Sequence, residues 1–203
     1  MSATPPKDEA ALTFYYDFSS PYAYLGATQV ERVARETGAR LRWRPILVGA
    51  LFNAIGTPNV PLDDFPAAKR SYMLRDLHHW AGHWGVQFRW PTRFPMRTVA
   101  PLRMIYAAEA AGGDVAALTH ALFRAYWVED RDIADAAVLA TIGDTSQIEA
   151  PTIKAALRAA TDEAIAAGVC GVPSFLARGH LFWGQDRLEL VSRTLGGWDP
   201  PSL

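Results

Sequence analysis

The stretch Tyr15–Gly26, YYDFSSPYAYLG, joins a strand-like run to a helix-like one through two serines and a proline. The run that leads into it, ALTFYYDF at 11–18, is rich in aromatic and β-favouring residues, the composition of a buried strand. Ser20-Pro21 then reads as a helix start. Serine is a favoured N-cap, and proline suits the first helical position because the N–H it lacks would have no partner there. Tyr22, Leu25, Val30 and Val33 fall on one half of that helix, and Gly38 is its expected stop. Next comes ARLRWRPILVG at 39–49, which sets Arg40, Arg42 and Arg44 against Leu41 and Trp43. That period of two predicts a strand with one wet face, ended by Pro45. A parallel β-α-β start follows.

From about Phe65 to Gly168 the apolar period becomes helical. Met73, Leu77, Trp80 and Trp84 make one stripe. TVAPLRMIYAAEAAGG (98–113), VAALTHALFRAYWVED (115–130) and DIADAAVLATIG (132–143) read as further short helices, and Pro151 opens another through residue 168. The C-terminal part returns to strand character: PSFLA (173–177) and HLFWG (180–184) flank Arg178-Gly179, a hairpin signal. Leu188, Val191 and Leu195 mark a closing helix that stops at Gly196-Gly197. The predicted order is β-α-β, helical insertion, β-β-α. The whole chain, 1–203, reads as one unit, with core segments at 11–50 and 169–200 and the insertion at 62–168.

Composition narrows the function. A chain of 203 residues, half of them apolar and seven of them tryptophan, can bury a substantial core. A formal charge of −1, with no long like-charge run, offers no attraction for nucleic acid or an anionic membrane, so a small-molecule partner is expected. The opening MSATPPKDEA lacks the basic start and apolar run of a secretion signal, and no stretch has membrane-spanning length. The expectation is a soluble, cytoplasmic protein. A single cysteine, Cys170, excludes an intrachain disulfide and any Cys-x-x-Cys redox pair.

Several residues admit two readings from local sequence. Ser20 is either a plain N-cap or a hydroxyl placed where a strand's end meets a helix N-terminus, a position that stabilises a bound anion. Val172-Pro173 either opens an edge strand or, with a cis bond, turns the backbone groups of Val172 toward a ligand. Arg89, Arg93 and Arg97 either clamp a substrate carboxylate or are solvated. His78, His79 and His83 lack a third-ligand pattern, so no metal is expected. Cys170 is either a small packed residue or a reactive thiol.

Taken together, the layout resembles thioredoxin-fold proteins with a helical insertion, the architecture of DsbA-type oxidoreductases and kappa-class glutathione transferases. Within that group it most resembles the 2-hydroxychromene-2-carboxylate isomerases. The matching residues are FYYDFSSPYAYLG at the start, GVPSF at 171–175 and FWGQDRLELV at 182–191. Where DsbA-type relatives carry Cys-x-x-Cys, this chain reads Ser20-Pro21-Tyr22-Ala23, so it has no thiol pair for disulfide exchange.

The resemblance implies glutathione as cofactor. It implies that Ser20 hydrogen-bonds the glutathione sulfur and lowers its pKa, and that Val172, before a cis Pro173, pairs main chain to main chain with the cysteinyl part. Trp183, Gly184, Gln185 and Asp186 match the family's WGNDR-like segment, which holds the γ-glutamyl end, with Gln185 in place of asparagine; Asp186 also reads as an N-cap for the last helix. Asn53 and Asn59, in a loop FNAIGTPNVP, are expected near substrate or glutathione, Asn59 by preference. A lysine of the naphthalene-pathway isomerase is matched by Phe52. Asn53, Arg93 and Arg97 are the substrate candidates. The activity implied is glutathione-dependent isomerisation of an aromatic α-keto acid or its cyclic hemiketal, in a protein whose relatives are commonly homodimers. The alternatives are a kappa-like transferase and a non-catalytic binding protein on a thioredoxin scaffold.

Overall fold

The computed structural model describes residues 11–58 and 60–201. Strands β1 (Ala11–Tyr16), β2 (Arg40–Pro45), β3 (Ser174–Ala177) and β4 (His180–Trp183) form one sheet in the order β2-β1-β3-β4. β1 runs parallel to β2 and antiparallel to β3, in a register that sets Tyr15 opposite Ser174. β3 and β4 are a hairpin closed by Arg178 and Gly179, both at positive φ. Helix α1 (Pro21–Thr37) makes the crossover between β1 and β2, and α8 (Leu188–Leu195) follows β4. Between β2 and β3 lie α2 (Val48–Ile55), α3 (Ala67–Trp84), α4 (Val99–Ala110), α5 (Val115–Trp127), α6 (Ala136–Ala140) and α7 (Pro151–Ala166). This is a thioredoxin fold carrying a helical insertion.

Alternation along β1 sends its rings to both sheet faces. Phe14 stacks on Tyr16 (5.1 Å) and on Phe175 (5.2 Å), and Tyr16 meets Thr119 of α5 at 2.8 Å. α1 crosses this face with Gly26 toward it: a Cβ there would make ordinary contact, 3.4 Å from the Phe175 ring and 3.5 Å from Pro173. On the other face Tyr15 donates to Glu163 of α7 (3.2 Å), and burial, with Glu163 beside it, pushes its phenol up to about 12. Glu163 also pairs with Arg42 and Arg44. The expected wet face of β2 is therefore only partly wet, since α7 roofs Arg44 and leaves its side chain 15% exposed.

Trp127 ties the insertion to the core. It is fully buried, donates its indole N–H to Phe18 O (2.9 Å) and packs against Phe88, Trp90 and Phe94. Asp135 accepts from the amides of Ala137 and Val138, so α6 begins at Ala136 and runs for five residues, well short of the predicted 132–143 helix. A larger difference is α2, which occupies part of the expected loop. Leu47, at its N-cap position, has no capping side chain; the Val48 N–H is instead taken by Asp17 Oδ2 at 2.9 Å. No helix among the described residues is long and apolar enough to cross a membrane.

Candidate functional site

The site grows from the turn between β1 and α1. Asp17, wholly buried, accepts from the amide and the hydroxyl of Ser19 (3.0 Å each), from Val48 N and from the Thr98 side chain. One carboxylate thus fixes the turn and the starts of α2 and α4. Burial holds its carboxyl above the ordinary range in spite of these bonds, each of which favours the ionised form. Ser20 is the N-cap of α1: its Oγ accepts from Ala23 N (3.2 Å) and donates to Val172 O (3.0 Å). Pro21 has no N–H, and that of Tyr22 has no intrahelical partner, so the positive end of a 17-residue helix faces whatever binds beside Ser20. The Val172–Pro173 bond is cis.

Two cavities meet here, sharing Tyr22 and Val172. The polar one, about 570 Å³, is lined by Pro173, Trp183, Gly184, Gln185, Asp186 and Arg187 on one side and by Tyr72, Asp76 and Trp80 of α3 on the other. Gly184 N donates to Pro173 O (2.9 Å), which joins the end of β4 to the start of β3. Gly184 has φ 108°, and a Cβ there would meet Asp186 Oδ1 at 2.5 Å, so glycine sets the position of this carboxylate. Asp186 pairs with Arg187 (3.1 Å). It does not cap the last helix, as the sequence suggested: a 3-10 turn, Gln185–Arg187, intervenes, and α8 has no side-chain cap. Gln185 is 2% exposed and its Oε1 has no hydrogen-bond partner among the described residues. Tyr22 donates to Asp76 Oδ2 (3.0 Å), and burial, then this acceptor, raises its phenol pKa.

The apolar cavity, about 190 Å³, is walled by Ser19, Ser20, Pro21, Val48, Phe52, Val60, Leu62, Phe65, Met73, Trp90, Phe94 and Pro95 besides the two shared residues.

The fold brings together Ser20, Val172, Pro173, Trp183, Gly184, Gln185 and Asp186. It leaves out the three substrate candidates. Asn53 lies on α2 rather than in a loop, is exposed, and lines neither cavity. Arg93 is exposed and pairs with Asp132, as Arg89 does with Asp130; Arg97 is exposed and lines neither cavity. Asn59 lies outside the described residues. Cys170 is exposed. Among the described residues no three or more His, Cys, Asp or Glu are grouped to hold a metal; the His78 ring packs on Phe88 and the His83 ring on Trp80. Sequence reasoning missed Asp17, Ser19, Asp76 and the ring wall. Met73 and Trp80 belonged to a stripe that reads as core, and helical periodicity does not separate a core position from a cavity wall.

A family model described as a DSBA-like thioredoxin domain matches residues 11–196. The chain belongs to the DSBA-like thioredoxin family. Its similarity to the 2-hydroxychromene-2-carboxylate isomerase of Pseudomonas putida is 28% identity over 192 residues, covering 90% of this chain and 93% of that protein. Glutathione S-transferase kappa 2 of Caenorhabditis elegans is 28% identical over 206 residues, covering 88% of each chain. A solved structure of a 2-hydroxychromene-2-carboxylate isomerase superposes with a TM-score of 0.76 at 26% identity, covering 92% of this chain and 94% of that one. This member of the DSBA-like family has serine, proline, tyrosine and alanine at 20–23, and its one cysteine stands at 170.

Proposed function

We propose that this protein is a glutathione-dependent isomerase of the 2-hydroxychromene-2-carboxylate isomerase type, acting on an aromatic electrophile, with Ser20 activating the glutathione thiol. The observation that carries the reading is the meeting of a polar and an apolar cavity at Tyr22 and Val172, with Ser20 at the junction. The residues fit the tripeptide. Asp76 and Asp186 offer carboxylates to an ammonium group, and Val172, just before β3, offers its main chain to a peptide. Ser20, on the N-terminus of α1, offers a hydroxyl and a positive dipole to a thiolate. Names of relatives support both halves: one set are isomerases of an aromatic carboxylate and the other are glutathione transferases.

When bound, glutathione would supply a thiol nucleophile able to add reversibly to an electrophilic carbon of the substrate. The chain's task is to hold the thiol deprotonated and aligned. Ser20 would donate a hydrogen bond to the sulfur in place of Val172 O, and the helix dipole would favour the same negative charge. Phe52, Phe65, Trp90 and Phe94 hold the ring and exclude water.

Calorimetric titration with glutathione, read alongside thiolate absorbance near neutral pH in wild type and Ser20→Ala, tests the assignment. Saturable binding with an absorbance that Ser20→Ala loses is expected. No binding at millimolar glutathione would overturn it. The kappa-type relative favours a second reading, a transferase, and product analysis separates the two: an isomer with glutathione recovered, or a stable thioether.

A further inference from the structure

The structure assigns the apolar cavity to an uncharged, single-ring aromatic carbonyl compound, in preference to an aromatic carboxylate. The inference rests on the reading above of this cavity as the seat of the thiol's reaction partner, and it names the class of that partner. Three hydroxyls belong to the lining, and each gives its proton to the protein: Ser19 to Asp17 Oδ1 (3.0 Å), Ser20 to Val172 O (3.0 Å) and Tyr22 to Asp76 Oδ2 (3.0 Å). The Ser20 proton is the one that the reading above gives to the sulfur, so toward a second guest all three turn lone pairs. The amides of Ser19 and Val48 go to Asp17 and that of Ser20 to Asp17 O, and the Tyr22 N–H at the start of α1 is the one that faces the thiolate on the reading above.

Among the described lining residues none is a cation, and the arginines of the 89–97 segment stand elsewhere, two of them paired with aspartates. Among the described lining residues one side-chain donor remains, the Trp90 indole N–H, which has no acceptor among them. A single neutral donor suffices for a ketone oxygen. A carboxylate moved into such a wall would lose its hydration without a countercharge, and unpaired charge is what an apolar site rejects most strongly. Size points the same way: an apolar cavity of roughly 150 Å³ holds a benzene ring, and this one measures about 190 Å³.

The test uses two saturated ketones that differ by a methyl group in place of a carboxylate and have no conjugated C=C, benzylacetone and benzylpyruvate, titrated without glutathione against the full-length protein by ligand-observed NMR. Benzylacetone is expected to bind about ten-fold more tightly or better. In Phe52→Lys, which places a cation on the wall, the order is expected to reverse; Met73→Lys approaches from α3 and serves if the first variant does not fold. Equal or tighter binding of benzylpyruvate to wild type would overturn the proposal, and so would benzylacetone binding unmoved by either lysine. A parallel glutathione titration keeps the two readings apart. Selective benzylacetone binding without glutathione binding would remove the thiol chemistry and leave the cavity assignment standing.

Discussion

The two cavities share Tyr22 and Val172 and differ in most of what a ligand would meet there. One presents two carboxylates, an arginine and an unpartnered buried amide oxygen; the other presents rings, a thioether and hydroxyl oxygens whose protons point into the protein. The contrast teaches a division of tasks. Charge and hydrogen bonding identify a ligand on one side, exclusion of water and shape admit one on the other, and Ser20 stands where the two must meet.

The change expected to matter most is at that seam. Ser20→Ala should lower turnover with glutathione by about a hundred-fold, the size typical of losing one donor to a developing anion, while glutathione affinity falls by less than about ten-fold. Steady-state kinetics beside calorimetry would read both, and collapse of affinity would place Ser20 among the recognition groups and blur the division.

Asp17→Asn attacks the frame under both cavities. An amide cannot accept from all four donors, so a loss of about 2–3 kcal/mol in urea unfolding is expected. The pH dependence carries a sign. Because burial raises the Asp17 carboxyl above its unfolded value, its contribution is greatest below the unfolded pKa and declines as pH rises through the folded one. The stability difference between wild type and Asp17→Asn should therefore shrink with rising pH across the weakly acidic range. A difference that grows instead would mean that the four hydrogen bonds outweigh burial.

Asp186→Ala should weaken glutathione by about ten-fold, as expected for a charge-assisted hydrogen bond, and leave benzylacetone binding unchanged; loss of both would mean that the cavities act as one. The smallest effect belongs to Arg93→Ala. Its pairing with Asp132 lies at the surface, with the arginine 71% exposed, so stability should move by about 0.5 kcal/mol or less and turnover should stay within experimental scatter. A marked kinetic defect would extend the apolar site to a residue that does not line it.

The same contrast governs what the amino-acid order discloses. The polar cavity takes seven of its residues from Val172–Pro173 and Trp183–Arg187, short segments a hairpin apart, so their grouping survives in the sequence as a motif. The apolar cavity draws on the start of α1, on α2, on the turn after it, on α3 and on residues 90–95, which meet only after folding. The helix that carries Asn53 has no local cap to announce it: the group that receives its first amide, Asp17, lies 31 residues from Val48. Arg44 reads as solvated because the helix that covers it arrives more than a hundred residues later. Strand and helix order, by contrast, follow from local periodicity and from Ser20, Pro21, Gly38 and Pro151, whose preferences act within a turn or two.

The hydrogen bond from Ser20 to Val172 O joins residues 152 apart in sequence. In the resting state the carbonyl has a guest already, and the hydroxyl a host. On the reading proposed here, a peptide N–H arriving at Val172 O releases the Ser20 proton to the neighbouring sulfur, so that one bond is exchanged for two. The Ser20 hydroxyl and the Val172 carbonyl are thus paired both before the exchange and after it. The thiol is thereby activated by the same contact that seats its backbone, which makes correct docking the trigger for reactivity.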